Sequence, residues 1–221
     1  MYLPAHFAER RPEVLQRLIA RHPFGLLVTD GPSGLDANGV PFVLDADLEG
    51  GPGVLRAHVA RANPLWTQAR TDRDSIVVFQ GAQTYVSPAW YASKAEHGKV
   101  VPTWNYILVE ARGRLRAIDD AAWLHAFVSR LTDRHEGERA AADGGAAPAW
   151  AVGDAPDDFV AATLRGIVGI EIVLSSLVGK WKVSQNRPGA DREGVVAGLG
   201  RIAGSDAAAM AREVRTPGGD G

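Results

Sequence analysis

The chain has 221 residues, 46% of them hydrophobic and 23% charged, with a formal net charge of -2. That balance suits one large domain with a sizeable core and argues against wholesale disorder or a broad nucleic-acid-binding surface. There is no cysteine, so disulfides and thiolate metal sites are excluded. The N-terminus, M-Y-L-P-A-H-F-A-E-R-R, lacks an apolar signal core, and no window approaches the roughly 18 uninterrupted apolar residues that suggest a membrane span. The expectation is a cytoplasmic protein without a membrane segment.

In chain order, Met1 to Phe7 reads as an arm carrying Pro4. From Pro12 a helical pattern puts Val14, Leu15, Leu18 and Ile19 on one stripe and ends near His22-Pro23. Phe24 to Thr29 reads as a strand, Asp30 to Gly39 as a loop, Pro41 to Leu44 as a second strand, and Gly50 to Gly53 as a sharp turn. Val54 to Ala60 is the third strand. Leu55, Ala57 and Val59 form its apolar face, with Arg56 and His58 on the other. Asn63-Pro64 marks a helix start. Ser75 to Gln80 and Thr84 to Ser87 read as strands separated by a turn at Gly81, and Pro88 to Glu96 as a short helix.

The stretch from Val100 to Ala111 leads into a long strand that continues through Gly113 to Ile118. Alternation sets Thr103 and Asn105 on one face, Trp104 and Tyr106 on the other. So many hydrogen-bonding side chains at a strand entrance suggest a flat polar partner. The plainer reading is a core edge capped by Trp and Tyr with their polar atoms outward. Asp119 is read as the cap of an amphipathic helix bearing Trp123, Leu124, Phe127, Val128 and Leu131. Ala140 to Pro148 reads as a mobile loop, Asp157 to Leu164 as a helix, and Ile167 to Val178 as a strand. Helical segments fill Asp191 to Val214, and Thr216 to Gly221 reads as a frayed tail. Many short strands without regular β-α-β alternation favour an antiparallel barrel with peripheral helices, an α+β arrangement, over a doubly wound sheet. The expected division is a domain over residues 1–203 with inserted helices, then a C-terminal helix and tail over 204–221.

Two groups of residues carry chemistry. In H-V-A-R-A-N-P, His58, Arg61 and Asn63 stand where a strand gives way to a helix N-terminus, good equipment for a phosphate. The alternative is a solvated arginine and an asparagine that only caps. In K-W-K-V-S-Q-N-R, an extended chain puts Lys180, Lys182 and Ser184 on one face, beside Gln185, Asn186 and Arg187. This cluster could bind phosphate, a heteroaromatic ring edge or nucleic acid, or line a solvated loop. The G-x-G-x-x-A match at Gly198 to Ala203 has no βαβ unit left to complete it. His135-Glu136 lacks a second histidine, and neither a nucleophile elbow nor a P-loop is present.

Taken together, M-Y-L-P-A-H-F, H-V-A-R-A-N-P-L-W, F-Q-G, Y-V-S-P-A-W-Y-A-S-K, V-V-P-T-W-N-Y, L-T-D-R-H-E and G-K-W-K-V-S-Q-N-R occur in this order from Met1 to Arg187. The chain thereby resembles the PaiB family of FMN-binding proteins, known as negative transcriptional regulators. The resemblance extends to Leu199. It implies an FMN-binding split barrel of the pyridoxamine-phosphate-oxidase type, forming a homodimer with two FMN sites at its interface. It further implies that His58, Arg61 and Asn63 hold the phosphate, and that Thr103, Trp104 and Asn105 lie along the ring or ribityl chain. Lys180, Lys182, Ser184, Gln185 and Asn186 would approach from the dimer mate or close the same pocket. Gly39 and Glu110 depart from the family, which often has histidine at both places. Three functions stay open: a regulator acting on DNA or through a protein partner, a flavin-dependent oxidoreductase using NAD(P)H or another small molecule, and flavin storage or sensing. No catalytic acid or base separates them.

Overall fold

The computed structural model describes residues 1–46 and 51–219. In chain order its elements are β1 (Ala8–Glu9), α1 (Pro12–Arg21), β2 (Phe24–Gly31), β3 (Gly34–Pro41), β4 (Val43–Asp45), β5 (Val54–Ala60), α2 (Leu65–Gln68) and β6 (Asp74–Val86). Then come α3 (Ser93–His97), β7 (Thr103–Ile118), α4 (Ala121–Ala142), α5 (Asp157–Leu164), β8 (Ile167–Lys182), α6 (Gly189–Leu199) and α7 (Ser205–Arg215). The strands hydrogen-bond in the order β3-β2-β6-β7-β8-β5-β4, with β1 also on β8. The β1–β8, β2–β3, β4–β5 and β5–β8 pairs are antiparallel. Two compact units emerge: a first of Met1–His22, Val78–Ala111 and Ser176–Gly221, and a second of Pro23–Val77 and Arg112–Ser175.

In the second unit, β5 takes the expected range and alternation, with Leu55 and Ala57 wholly buried. It pairs with β8 from Val54↔Val173 to Ala60↔Ile167. The expected loop from Asp30 to Gly39 is instead the β2–β3 hairpin, closed at Gly31↔Gly34 with Gly34 at φ +96°. β3 ends the sheet order and is exposed throughout Gly34 to Ala37, so that part needs no apolar alternation and its sequence gives no strand signal. Gly53 also takes a positive φ, +92°, as the chain enters β5, while Gly50 of the expected turn lies outside the described residues.

Gly113 sits within β7 because a Cβ there would strike the Val173 carbonyl oxygen. The glycine permits a close backbone approach. The helix cap is Asp120, not Asp119: its Oδ1 accepts from the Trp123 N–H at 2.7 Å. α4 runs on to Ala142, into the expected loop, because alanine and arginine there favour helix. Trp123 and Phe127 stack at 5.1 Å on its inward side. Replacing Asp120 by alanine is expected to cost about 1 kcal/mol, read as a lower urea midpoint with unchanged slope.

In the first unit, α1 buries the expected stripe of Val14, Leu15, Leu18 and Ile19. The strand through Gly81 is unbroken, since β6 spans Asp74–Val86. Gly81 is there for packing: a Cβ would lie 2.9 Å from Leu18 Cδ1 and 3.5 Å from Ile107. α6 lies against the Pro88–Trp90 turn, with Gly198 directly under the Trp90 ring. Asp191 of α6 accepts from the Ser93 N–H at 2.9 Å and its hydroxyl at 2.8 Å. Beyond α7 the expected frayed tail is tied down at Pro217 and Gly218. The Pro217 carbonyl accepts from Arg11, the Gly218 carbonyl accepts from Arg17, and Gly218 N–H donates to Glu213. Among the described residues no helix is long and apolar enough to cross a membrane.

Candidate functional site

The second unit holds His58, Arg61 and Asn63. His58 leaves β5 opposite Gly169, its ring 6.0 Å from Phe127, with Nδ1 buried and without a hydrogen-bond partner among the described residues. Burial holds its pKa below the ordinary histidine value, so it is a neutral donor or acceptor at neutral pH. Arg61 grips Asp119 at 2.8 and 2.5 Å and donates to the carbonyls of Arg165 at 2.7 Å and Ile167 at 3.2 Å. The Arg61 hydrogen bond holds the Asp119 carboxyl below its usual range. Asn63, one residue ahead of Pro64 at the cap position of the one-turn α2, accepts from the Leu65 N–H at 2.9 Å, and its amide donates to Asn38. Strand end, helix start and imidazole are therefore neighbours in sequence, with Arg61 already bound to a carboxylate.

The first unit holds the other group. Alternation along β7 works as expected: Asn105 is 1% exposed and Trp104 49%. Asn105 Nδ2 donates to Ser184 Oγ at 2.9 Å. Ser184 follows β8 in a left-handed conformation, φ 65°, which costs energy in a residue with a Cβ and is held there by this bond. Gln185 caps the same turn, accepting from the Val183 N–H and donating to the Trp181 carbonyl. Asn186 is exposed.

Lys180 and Lys182 project from the face of β8 opposite Trp181. Lys180 Nζ donates to the Tyr2 carbonyl at 3.0 Å and lies 5.4 and 5.3 Å from the Tyr2 and Tyr106 ring centres. Lys182 Nζ donates to Thr103 Oγ1 and the Trp104 carbonyl, both at 2.5 Å, and stands 5.8 Å from the Tyr106 ring. Neither lysine has a carboxylate partner among the described residues. Burial, then the Lys180 and Arg187 charges, pull the Lys182 pKa below the ordinary lysine value. A cation held uncomfortably by its own neighbours favours an anion or an electron-rich ring edge. Trp104 completes the face, donating from Nε1 to Gln83 Oε1 at 2.7 Å, with Tyr85 edge-on at 6.3 Å. Thus Thr103, Trp104, Lys180 and Lys182 come together, while Asn105, Ser184 and Gln185 brace them from beneath. Sequence reasoning passed over Tyr2 and Gln83; the M-Y-L-P arm and the alternation of Gln83 with Tyr85 were the available signals.

The family model described as "Putative FMN-binding domain" matches residues 1–176. An uncharacterized protein of Emericella nidulans is 36% identical over 96% of this chain and 97% of its own length. The Bacillus subtilis protein named protease synthase and sporulation protein PAI 2 is 26% identical, over 89% of this chain and 87% of that one. The chain belongs to the PaiB-type family of FMN-binding proteins. Its fold is the split β-barrel. The FAD and heme binding protein from Mycobacterium smegmatis superposes with a TM-score of 0.55 at 15% identity, covering 86% of this chain and 80% of that one. FMN is the cofactor of this PaiB-type chain. The residues present fit it. In the first unit, two lysines that have no counter-ion among the described residues suit an electron-accepting ring edge; in the second, the buried His58 Nδ1, without a partner among the described residues, suits a polar ligand atom.

Proposed function

We propose that this PaiB-type protein is a homodimeric FMN-binding regulator, and that the Trp104, Tyr106, Lys180 and Lys182 face of the first unit receives the flavin ring. The carrying observation is the lysine pair, with no carboxylate partner among the described residues, beside a half-exposed indole. When bound, FMN supplies hydride and electron chemistry of its own. The chain's part is to bind, orient and stabilise negative charge on the ring. The groups that meet the lysines are tyrosine rings, a threonine hydroxyl and backbone carbonyls, with no carboxylate or imidazole in contact with them among the described residues. That favours sensing over proton-transfer catalysis, and the Bacillus relative carries the name protease synthase and sporulation protein. In support of a second copy, Phe24, Leu26 and Leu35 stand exposed on the β2–β3 hairpin, an apolar face suited to self-association.

Within the second unit, His58, Arg61 and Asn63 are proposed as phosphate contacts, supported by the unpartnered Nδ1 of His58. Arg61→Ala is expected to weaken FMN much more than riboflavin, since only FMN carries the phosphate. Equal losses in a flavin fluorescence titration would leave Arg61 as a clamp on Asp119 and the Arg165 and Ile167 carbonyls. Two further measurements test the regulator reading. Light scattering on the purified protein should give twice the chain mass. Anaerobic mixing with NADH or NADPH should leave the flavin absorbance unbleached, and rapid bleaching would replace the regulator with a reductase.

A further inference from the structure

The face of β7 and β8 turned away from the lysines borders a second feature. Within the first unit a cavity of about 510 Å³ opens beneath α1 and α7. Its floor is apolar: Leu18 from α1, Gly81 and Ala82 from β6, Ile107 from β7 and Trp181 from β8. The volume lies within the roughly 300–1,000 Å³ typical of small-molecule sites. The rim is charged, with Arg17, Arg21, Arg212 and Arg215 against Asp206 and Glu213. Among the described lining residues, four guanidinium groups stand with two carboxylates.

The balance is more one-sided than the count. Glu213 is occupied in the wall, accepting from Trp181 Nε1 at 3.0 Å and the Gly218 N–H at 2.8 Å. Arg212 and Arg215, three residues apart on α7, both line the mouth and have no carboxylate partner among the described residues. Asp206 stands in the first turn of α7, apart from that pair.

We propose that this cavity binds a small amphipathic organic anion, an aryl or alkyl carboxylate or sulfonate. Its apolar body lies on Leu18, Ile107 and Trp181, and its charged group meets Arg212 and Arg215. The assignment is independent of the flavin reading, because Trp181 and the two lysines leave β8 on opposite faces.

The test is a fluorescence titration of the full chain with anilinonaphthalene sulfonate, followed by competition with naphthoate and with its neutral counterpart naphthalenemethanol. The expected result is saturable binding at one site per chain, displaced by naphthoate at least about tenfold more effectively than by the alcohol. Ala209→Trp, which fills the cavity from α7, should abolish probe binding. Arg212→Gln with Arg215→Gln should erase the preference for the carboxylate while leaving the thermal unfolding curve in place. Absence of saturable binding, binding that survives Ala209→Trp, or equal competition by acid and alcohol in the unaltered chain would overturn the proposal. Should Ala209→Trp unfold the protein, the arginine variants and the acid–alcohol comparison still decide.

Discussion

Lys182→Ala is expected to weaken FMN and riboflavin by the same factor, roughly 10- to 100-fold, the range for losing a charged hydrogen-bonding partner of about 1.5–3 kcal/mol. Equality follows from the proposed contact with the ring, which both flavins share. A loss confined to FMN would move Lys182 to the phosphate, and an unchanged affinity for both would remove the lysine face from the site. The same contact sets a pH dependence. Lys182 has a depressed pKa through burial and through Lys180 and Arg187. Its positive charge, and with it the expected flavin affinity, is lost as pH rises through a value below that of an ordinary lysine. Lys182→Arg, always charged, should flatten that alkaline limb.

Removing Glu171 is expected to have the largest effect on stability. It is a carboxylate 2% exposed, gripped by Arg56 Nε at 2.6 Å and Arg116 Nε at 2.7 Å, while Arg56 and Arg130 also hold Asp45. Breaking a buried ion pair costs about 3–5 kcal/mol, but the Arg116 side chain is 64% exposed and can return to water. About 2 kcal/mol is therefore expected for Glu171→Gln by urea unfolding. Burial opposes ionisation of Glu171, and the Arg56 and Arg116 hydrogen bonds outweigh it, leaving the pKa lowered. Its stabilising contribution is present above the unfolded carboxylate value and is lost as pH falls through the lower folded value. The variant should accordingly lose less stability than the parent on acidification, and parallel pH profiles would show that Glu171 is not linked to folding.

The half-buried elements were legible because their burial leaves a period in the sequence. Val54 to Ala60 alternates, the α1 stripe repeats at helical spacing, and both match the structure. β3 was missed because nothing buries it on either side over Gly34 to Ala37. Local pattern alone suggests a turn at Gly81 and a bulge or bend at Gly113. Their role is to give room to Leu18 in one case and to a neighbouring carbonyl in the other, which local pattern does not encode. Asp119 and Asp120 are equally good caps on paper, and only the Arg61 fork, from far along the chain, takes the first away. At the candidate site, the ordered motifs revealed the family and alternation separated Trp104 from Asn105. The use of Gln185 to cap its own turn, and the meeting of Lys180 with Tyr2 from 178 positions away, leave no period in the sequence.

The last residues of β8 set two proposed kinds of recognition side by side in three consecutive positions, lysines on one face and an indole on the other. Slipping that strand by a single position would exchange them, driving ammonium groups into the greasy chamber and leaving the tryptophan bare. Length changes in the segment before Gly179 are thus tolerable only in pairs, and the two faces are bound to diverge by substitution, never by insertion of one residue.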